Sequence, residues 1–239
     1  MKRTITGIKG LDLMLKGGIP KNRVVLISGS TGTGKTTIGM QFIYNGIVDH
    51  NEAGVYITLE EDKQQIKQDI NAQGMNLDSI NDRFRFIGGH IATIQRFKRK
   101  TKANVEDLVN EVEEVVHEIG AKRVVLDPVN LFLMLFDSDN EKRDALALLT
   151  EKLKKLNCTT LLLCEVKEQS MDISREGFEE FVADGVITLY NLRCGPSFYQ
   201  GIAVRKMRGI EHHREIRPYE ITNEGVVVYQ TQPWLPPEE

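Results

Sequence analysis

The chain has 239 residues, with 31 Lys and Arg against 34 Asp and Glu, and a formal net charge of −3. This length holds one α/β domain with a full core, and 41% hydrophobic with 27% charged residues excludes collagen-like, mucin-like and wholly disordered chains. The charge balance also excludes a strongly basic coat protein, although local basic patches remain open to it.

Turn-rich segments come first, at residues 6–12 and 17–20. Residues 24–28 (VVLIS) form a short apolar run fit for a buried parallel strand. A Gly-rich loop follows, then a helix over about 35–47, a strand over 55–59 and a polar helix over about 62–73. The clearest helix spans 104–119, where Val105, Leu108, Val109, Val112, Val115, Val116 and Ile119 share one face. Asn104 is its expected N-cap and Gly120 its stop. Next come a strand over 124–126 ending at Asp127, a helix over about 141–156, and a strand over 159–164 ending at Glu165. This alternation predicts a mostly parallel sheet with helices on both faces. After residue 184, strands at 186–190, 201–206, 219–221 and 226–229 are joined by turns alone and read as an antiparallel extension. The expected organisation is one domain over residues 1–232 and a flexible tail over 233–239.

The three cysteines, Cys158, Cys164 and Cys194, form no C-x-x-C pair. A disulfide framework or zinc ribbon is therefore not expected, and a reducing cytoplasm is the natural setting. The N-terminus meets Gly and Asp too early for a signal-peptide core. The longest apolar run, 131–136, falls far short of the roughly 20 residues that cross a bilayer. No membrane association is expected.

Gly29-Ser30-Thr31-Gly32-Thr33-Gly34-Lys35-Thr36 matches G-x-x-x-x-G-K-[ST] in full. Its glycines let backbone N–H groups turn inward around phosphate oxygens, and the helix that follows adds its positive end. Lys35 is expected to reach the β- and γ-phosphates of ATP, and Thr36 to offer its hydroxyl to Mg²⁺. Asp127, closing an apolar strand, is the expected second support for the metal. Glu60 and Glu61 follow another strand. They either polarise the attacking water or serve a helix N-terminus, and spacing leaves the two even. Glu165 is either a sensor of γ-phosphate or a surface acid.

These residues resemble a single domain of the KaiC-type ATPases within the RecA/RadA-like P-loop superfamily. The similarity runs from about Thr6 to Tyr229. It is carried by T-G-I-x-G-L-D at 6–12, G-G-I-P at 17–20, the phosphate loop at 29–37 and the paired glutamates with Gly74. The segment EEFVAD at 179–184 and K-M-R-G-I-E-H at 206–212 complete it. The resemblance implies a RecA-like core and slow ATP hydrolysis in a homo-oligomeric ring, usually a hexamer, with nucleotide between subunits. It implies ATP contacts from Ser30, Thr31, Gly32, Thr33, Gly34, Lys35, Thr36 and Thr37. It assigns Glu60 and Glu61 to water activation and Mg²⁺ support, and Asp127 to the metal. Lys206, Met207, Arg208, Ile210 and His212, with Thr222 and Asn223, are placed against the nucleotide of the adjacent subunit. Two such domains in tandem are usual in the best-known members, and a polar residue often stands where this chain has Pro128. The hydroxyl-rich segment of autophosphorylating members is reduced here to Ser170 and Ser174, which argues against a phosphorylation switch.

Arg96, Phe97, Lys98, Arg99 and Lys100 open a basic run with one aromatic. It reads as a solvated loop, or as a contact for single-stranded DNA in a RadA-like recombination accessory. The leading expectation is an ATPase that signals its nucleotide state to a protein partner. A nucleotide-gated scaffold with negligible turnover is the third reading.

Overall fold

The computed structural model describes residues 1–89, 103–168 and 172–231, the side chains of residues 103, 104 and 194 aside. The opening turn is held by one carboxylate: Asp12 accepts the N–H of Thr6 at 2.8 Å and of Gly7 at 3.0 Å. It leads into α1 (Leu11–Met14), whose Leu11 and Met14 are buried. Beside it β1 (Arg3–Thr4) and β2 (Ile19–Pro20) pair antiparallel.

The chain continues through β3 (Val24–Gly29), α2 (Lys35–His50), β4 (Gly54–Thr58), α3 (Lys63–Ala72), a 3-10 segment (Leu77–Arg83) and β5 (Phe84–Gly88). Then come α4 (Ala103–Ile119), β6 (Arg123–Asp127), α5 (Val129–Leu133), α6 (Asp139–Lys155), β7 (Thr159–Glu165) and α7 (Glu179–Val182). Four strands close it: β8 (Gly185–Cys194), β9 (Ser197–Met207), β10 (Arg217–Thr222) and β11 (Gly225–Val228). Nine strands form one sheet in the order β11-β10-β9-β8-β3-β7-β6-β4-β5. The strands from β8 to β5 in that order are mutually parallel, and β9, β10 and β11 pair antiparallel.

Alternate residues of each central strand feed opposite cores, as period-2 side-chain geometry requires. Val25 and Ile27 join Phe42 and Ile43 of α2 on one face, while Val24 and Leu26 join Val112 of α4 and Leu149 of α6 on the other. Helices on both faces therefore match the expectation, and so does the late antiparallel extension, with one refinement. The strand expected at 186–190 pairs parallel with β3, so the antiparallel part begins at β9. The α4 helix starts at Ala103, which leaves Asn104 inside it instead of capping it. Gly120 ends it at φ 63°, as expected. The α6 helix begins earlier than its apolar pattern, because Ser138 and Glu141 form a reciprocal capping box. Cys158 and Cys164 are buried free thiols, and burial pushes them up to about 11 and about 12. No helix among the described residues is long and apolar enough to cross a membrane.

A guanidinium lies wholly in the core. Arg123, at the start of β6, is 0% exposed. Its Nε and Nη2 donate to Glu52 Oε2 at 3.0 and 2.8 Å, and Nη1 donates to Phe42 O at 2.8 Å. Its guanidinium also lies 4.6 Å from the Phe42 ring centroid. Gly46 of α2 makes room for it, since a Cβ there would stand 2.2 Å from Arg123 Nε. Gly46→Ala is accordingly expected to destabilise the fold by about 1–3 kcal/mol, although alanine gains about 1 kcal/mol of helix propensity. A urea midpoint at or above wild type would contradict this packing.

Candidate functional site

β3 ends at Gly29 and the chain turns through residues 30–34 into α2. Gly34 sits at φ 79° in the left-handed region, and a Cβ added there would stand 2.7 Å from Ile221 Cδ1. Glycine meets both demands at once. Thr33, fully buried, closes the loop by donating its hydroxyl to Ser30 O at 2.7 Å, while Tyr219 Oη of β10 donates to Thr33 O at 2.7 Å. The loop is thus braced from behind by the late strands. Lys35 Nζ lies along it and donates to Gly29 O at 3.0 Å and Ser30 O at 2.8 Å. Burial lowers the Lys35 pKa, partly offset by the carboxylates of Glu165 and Asp127.

The parallel strands deliver the other groups to the same edge, where open α/β sheets bind ligands. A cleft of about 400 Å³ is lined by Thr31, Gly32, Gly34, Lys35, Thr36, Glu60, Glu61, Asp127, Pro128 and Glu165. Thr36 Oγ1 donates to Asp127 Oδ2 at 2.8 Å, and Tyr56 Oη donates to the same oxygen at 2.6 Å. Asp127 is 8% exposed, and its burial raises its pKa against those two hydrogen bonds and the charge of Lys35. A hydroxyl and a desolvated carboxylate side by side are hard oxygen donors that fit Mg²⁺. No cluster of three or more His, Cys, Asp and Glu with metal-binding geometry exists among the described residues. Thr36 and Asp127 are the residues that would hold such a cation.

Glu60 and Glu61 stand between β4 and α3. Thr58 Oγ1 accepts the Glu61 N–H at 3.2 Å and donates to Glu61 O at 2.9 Å. The cap of α3 is Asp62, which accepts the Gln64 N–H at 2.8 Å, and the first turn of α3 holds no acid. Service to a helix N-terminus is therefore not what places the pair, and both face the cleft. Burial, then the charges of Asp127 and Glu60, raise the pKa of Glu61. Glu165 is no stray surface acid either. Its Oε1 accepts the Thr31 hydroxyl at 2.9 Å, and its N–H donates to Asn130 Oδ1 at 2.6 Å.

The late motif lies elsewhere. Gly185 of β8 pairs with Val25 at the start of β3 and with Met207 at the end of β9. Lys206, Met207 and Arg208 therefore flank the sheet edge opposite the phosphate loop. Val25 to Gly29 is four strand steps, about 13 Å at ~3.3 Å each, farther than a side chain spans. The Met207 side chain is buried beneath Gly185, and Ile210 packs on the core. His212 Nδ1 lies 3.1 Å from His213 O. Thr222 and Asn223 stand apart from this group, at the end of β10 and in the turn to β11. There Gln41 Oε1 of α2 accepts the Val226 N–H at 2.8 Å, so this turn sits beside the chain's own loop helix. Thr37 is buried in the first turn of α2. The run from Arg96 to Lys100, Ser170 and the tail lie outside the described residues.

Sequence reasoning missed Tyr56 and Asn130. A tyrosine inside an apolar strand was the available signal, because a buried phenol seeks a partner. Nothing in the spacing pointed to Asn130.

A phosphate loop feeding α2, with Thr36 of that helix bonded to Asp127 at the end of the parallel strand β6, defines a P-loop NTPase of the RecA-like fold. Residues 4–233 match the family described as "ATPase: KaiC", and the chain belongs to that family. It is 34% identical to the circadian clock oscillator protein KaiC of Parathermosynechococcus lividus over 94% of this chain, and it spans only 42% of that protein's length. It is 35% identical to a UPF0273 protein of Thermotoga maritima, covering 97% of this chain and 98% of that one. A solved KaiC-like protein of the hyperthermophilic archaeon Pyrococcus horikoshii OT3 superposes with a TM-score of 0.84 at 31% identity. That match covers 96% of this chain and 99% of the other.

Proposed function

We propose that residues 1–232 form one ATPase unit that binds Mg²⁺ and ATP in the cleft and hydrolyses the nucleotide slowly. In this reading the copies assemble into a ring, hexameric as the family resemblance implies, with each nucleotide at a joint. The nucleotide state is then read by a protein partner in the cytoplasm. The supporting observation is the split between the two halves of the motif set. Lys35, Thr36, Asp127, Glu60 and Glu61 converge on one cleft, while Lys206 and Arg208 stand at the opposite sheet edge. Cations so far from their own loop serve catalysis only if another copy brings its loop to them.

The division of labour follows from charge. Lys35 and the loop N–H groups bind the phosphates, and Thr36 with Asp127 would hold the metal, whose charge would stabilise the transferring phosphoryl group. Glu60 and Glu61 orient the water and accept its proton. Lys206 and Arg208 of the neighbouring copy oppose the negative charge that develops on the γ-phosphate.

Magnesium-dependent phosphate release, measured alongside sedimentation in ATP and in ADP, tests the reading. Turnover confined to the assembled species is expected. Full turnover in a strictly monomeric sample sinks it, and assembly without turnover leaves only a scaffold. The pH profile adds a check. Glu61 works ionised and its pKa is raised, so turnover should climb with pH on an acid limb above the ordinary 4.5. Glu61→Gln should lose that limb and about 10²-fold or more in kcat.

A further inference from the structure

We propose that Asp184 is the positioning residue for the cations a subunit presents to its neighbour, acting through Arg208. The inference rests on the reading in which Lys206 and Arg208 work across a joint.

Asp184 is 2% exposed, yet three cations from three separate segments surround it. Its Oδ2 lies 3.0 Å from Lys154 Nζ of α6 and accepts the Val24 N–H at 3.2 Å. Its Oδ1 lies 3.6 Å from Arg23 Nη1 and 3.6 Å from Arg208 Nη1. The backbone locks the same place, since Arg208 N donates to Asp184 O at 2.9 Å and Asp184 N to Val24 O at 2.8 Å. Just before it, Glu180 O and Ala183 O accept from Lys206 Nζ at 2.9 and 2.7 Å. One stretch, residues 180–184, therefore fixes both late cations.

The balance of charge argues for more than a structural ion pair. Lys154 and the Val24 N–H already satisfy one carboxylate oxygen, and Arg23 shares the other. Arg208, at the same 3.6 Å from Oδ1 as Arg23, is tethered beyond hydrogen-bond distance. Its side chain is 53% exposed, which leaves most of a five-donor fork free for a phosphoryl group. Asp184 aims Arg208 without neutralising it.

The test uses the full chain. Asp184→Asn keeps the volume and an acceptor for the Val24 N–H while removing the charge. Turnover at saturating ATP is expected to fall at least tenfold, with ATP affinity unchanged within twofold. Mixing this variant one to one with an inactive Lys35→Ala chain should restore activity. In random closed rings about a quarter of joints then pair an intact loop with intact cations. Turnover per chain should reach about a quarter of wild type, against about a twentieth without exchange. Arg208→Ala, mixed the same way, is the control. If it recovers and Asp184→Asn does not, Asp184 has no role across the joint and the proposal is overturned. If neither recovers, the reading of cations acting across a joint falls first. Should Asp184→Asn fail to fold, the pair Arg23→Gln and Lys154→Gln replaces it. With those charges gone Asp184 draws Arg208 inward, and the same fall and recovery are expected. Unchanged turnover in that pair overturns the proposal equally.

Discussion

Lys35→Ala is expected to reduce phosphate release to background, a loss on the order of 10³-fold, because one preorganised charge at a developing phosphoryl anion is worth about that much. The geometry separates this loss from unfolding. Lys35 Nζ makes its hydrogen bonds to two loop carbonyls, Gly29 O and Ser30 O, and no core packing depends on it. Burial lowers its pKa below the ordinary 10.5, so folding disfavours its charged form. That penalty is fully present below the lowered pKa and disappears as pH rises through the ordinary value. At neutral pH the substitution should therefore leave the urea midpoint unchanged or raise it slightly. Titration calorimetry with Mg²⁺ and ATP should show weakened uptake alongside the lost turnover. Turnover within threefold of wild type would falsify the assignment of this loop to phosphate.

Much of this arrangement is legible in the sequence, for identifiable reasons. The phosphate loop is local: eight consecutive residues, Gly29 to Thr36, set its turn, its lysine and its hydroxyl. The longest helices are legible in the sequence, as α4 is from the apolar spacing between Val105 and Ile119, whereas the short α1, α5 and α7 are not. Nor is the strand at 84–88, because Arg85 and a flanking 3-10 segment blur the alternation. The parallel pairing of β8 is equally silent, since direction depends on where the connection passes and not on composition. What spacing left even about Glu60 and Glu61 gains one structural observation. Asp62 takes the cap of α3, leaving the pair to the cleft. The late motif required the sheet register. Only the pairing of Gly185 with both Val25 and Met207 shows that Lys206 and Arg208 stand at the far edge from the loop. The same register separates them from Thr222 and Asn223, which the resemblance groups with them.

Asp127→Asn should make the protein more stable and disable it together. Tyr56 and Thr36 both donate to Oδ2 of Asp127, and an amide oxygen in that position has two lone pairs to accept both. The hydrogen bonds can therefore survive while the buried charge goes. Desolvation raises the Asp127 pKa above 3.8, so the folded chain binds this proton more tightly than the unfolded one. Stability then falls as pH rises from 3.8 through the raised value, and the deficit persists at pH 7. The asparagine variant lacks that fall. In buffer free of metal and nucleotide its urea midpoint should exceed wild type at pH 7, with the difference shrinking toward pH 4. On the proposed reading turnover should drop about 10²-fold or more, since the carboxylate that would support the metal is absent. The magnesium dependence of ATP binding should flatten with it. Placing a carboxylate beside a threonine hydroxyl beneath a phosphate loop costs folding free energy, and on the proposed reading metal binding would offset that cost. A variant less stable than wild type at neutral pH, with turnover intact, would mean that Asp127 is a structural acid and that the metal is held elsewhere.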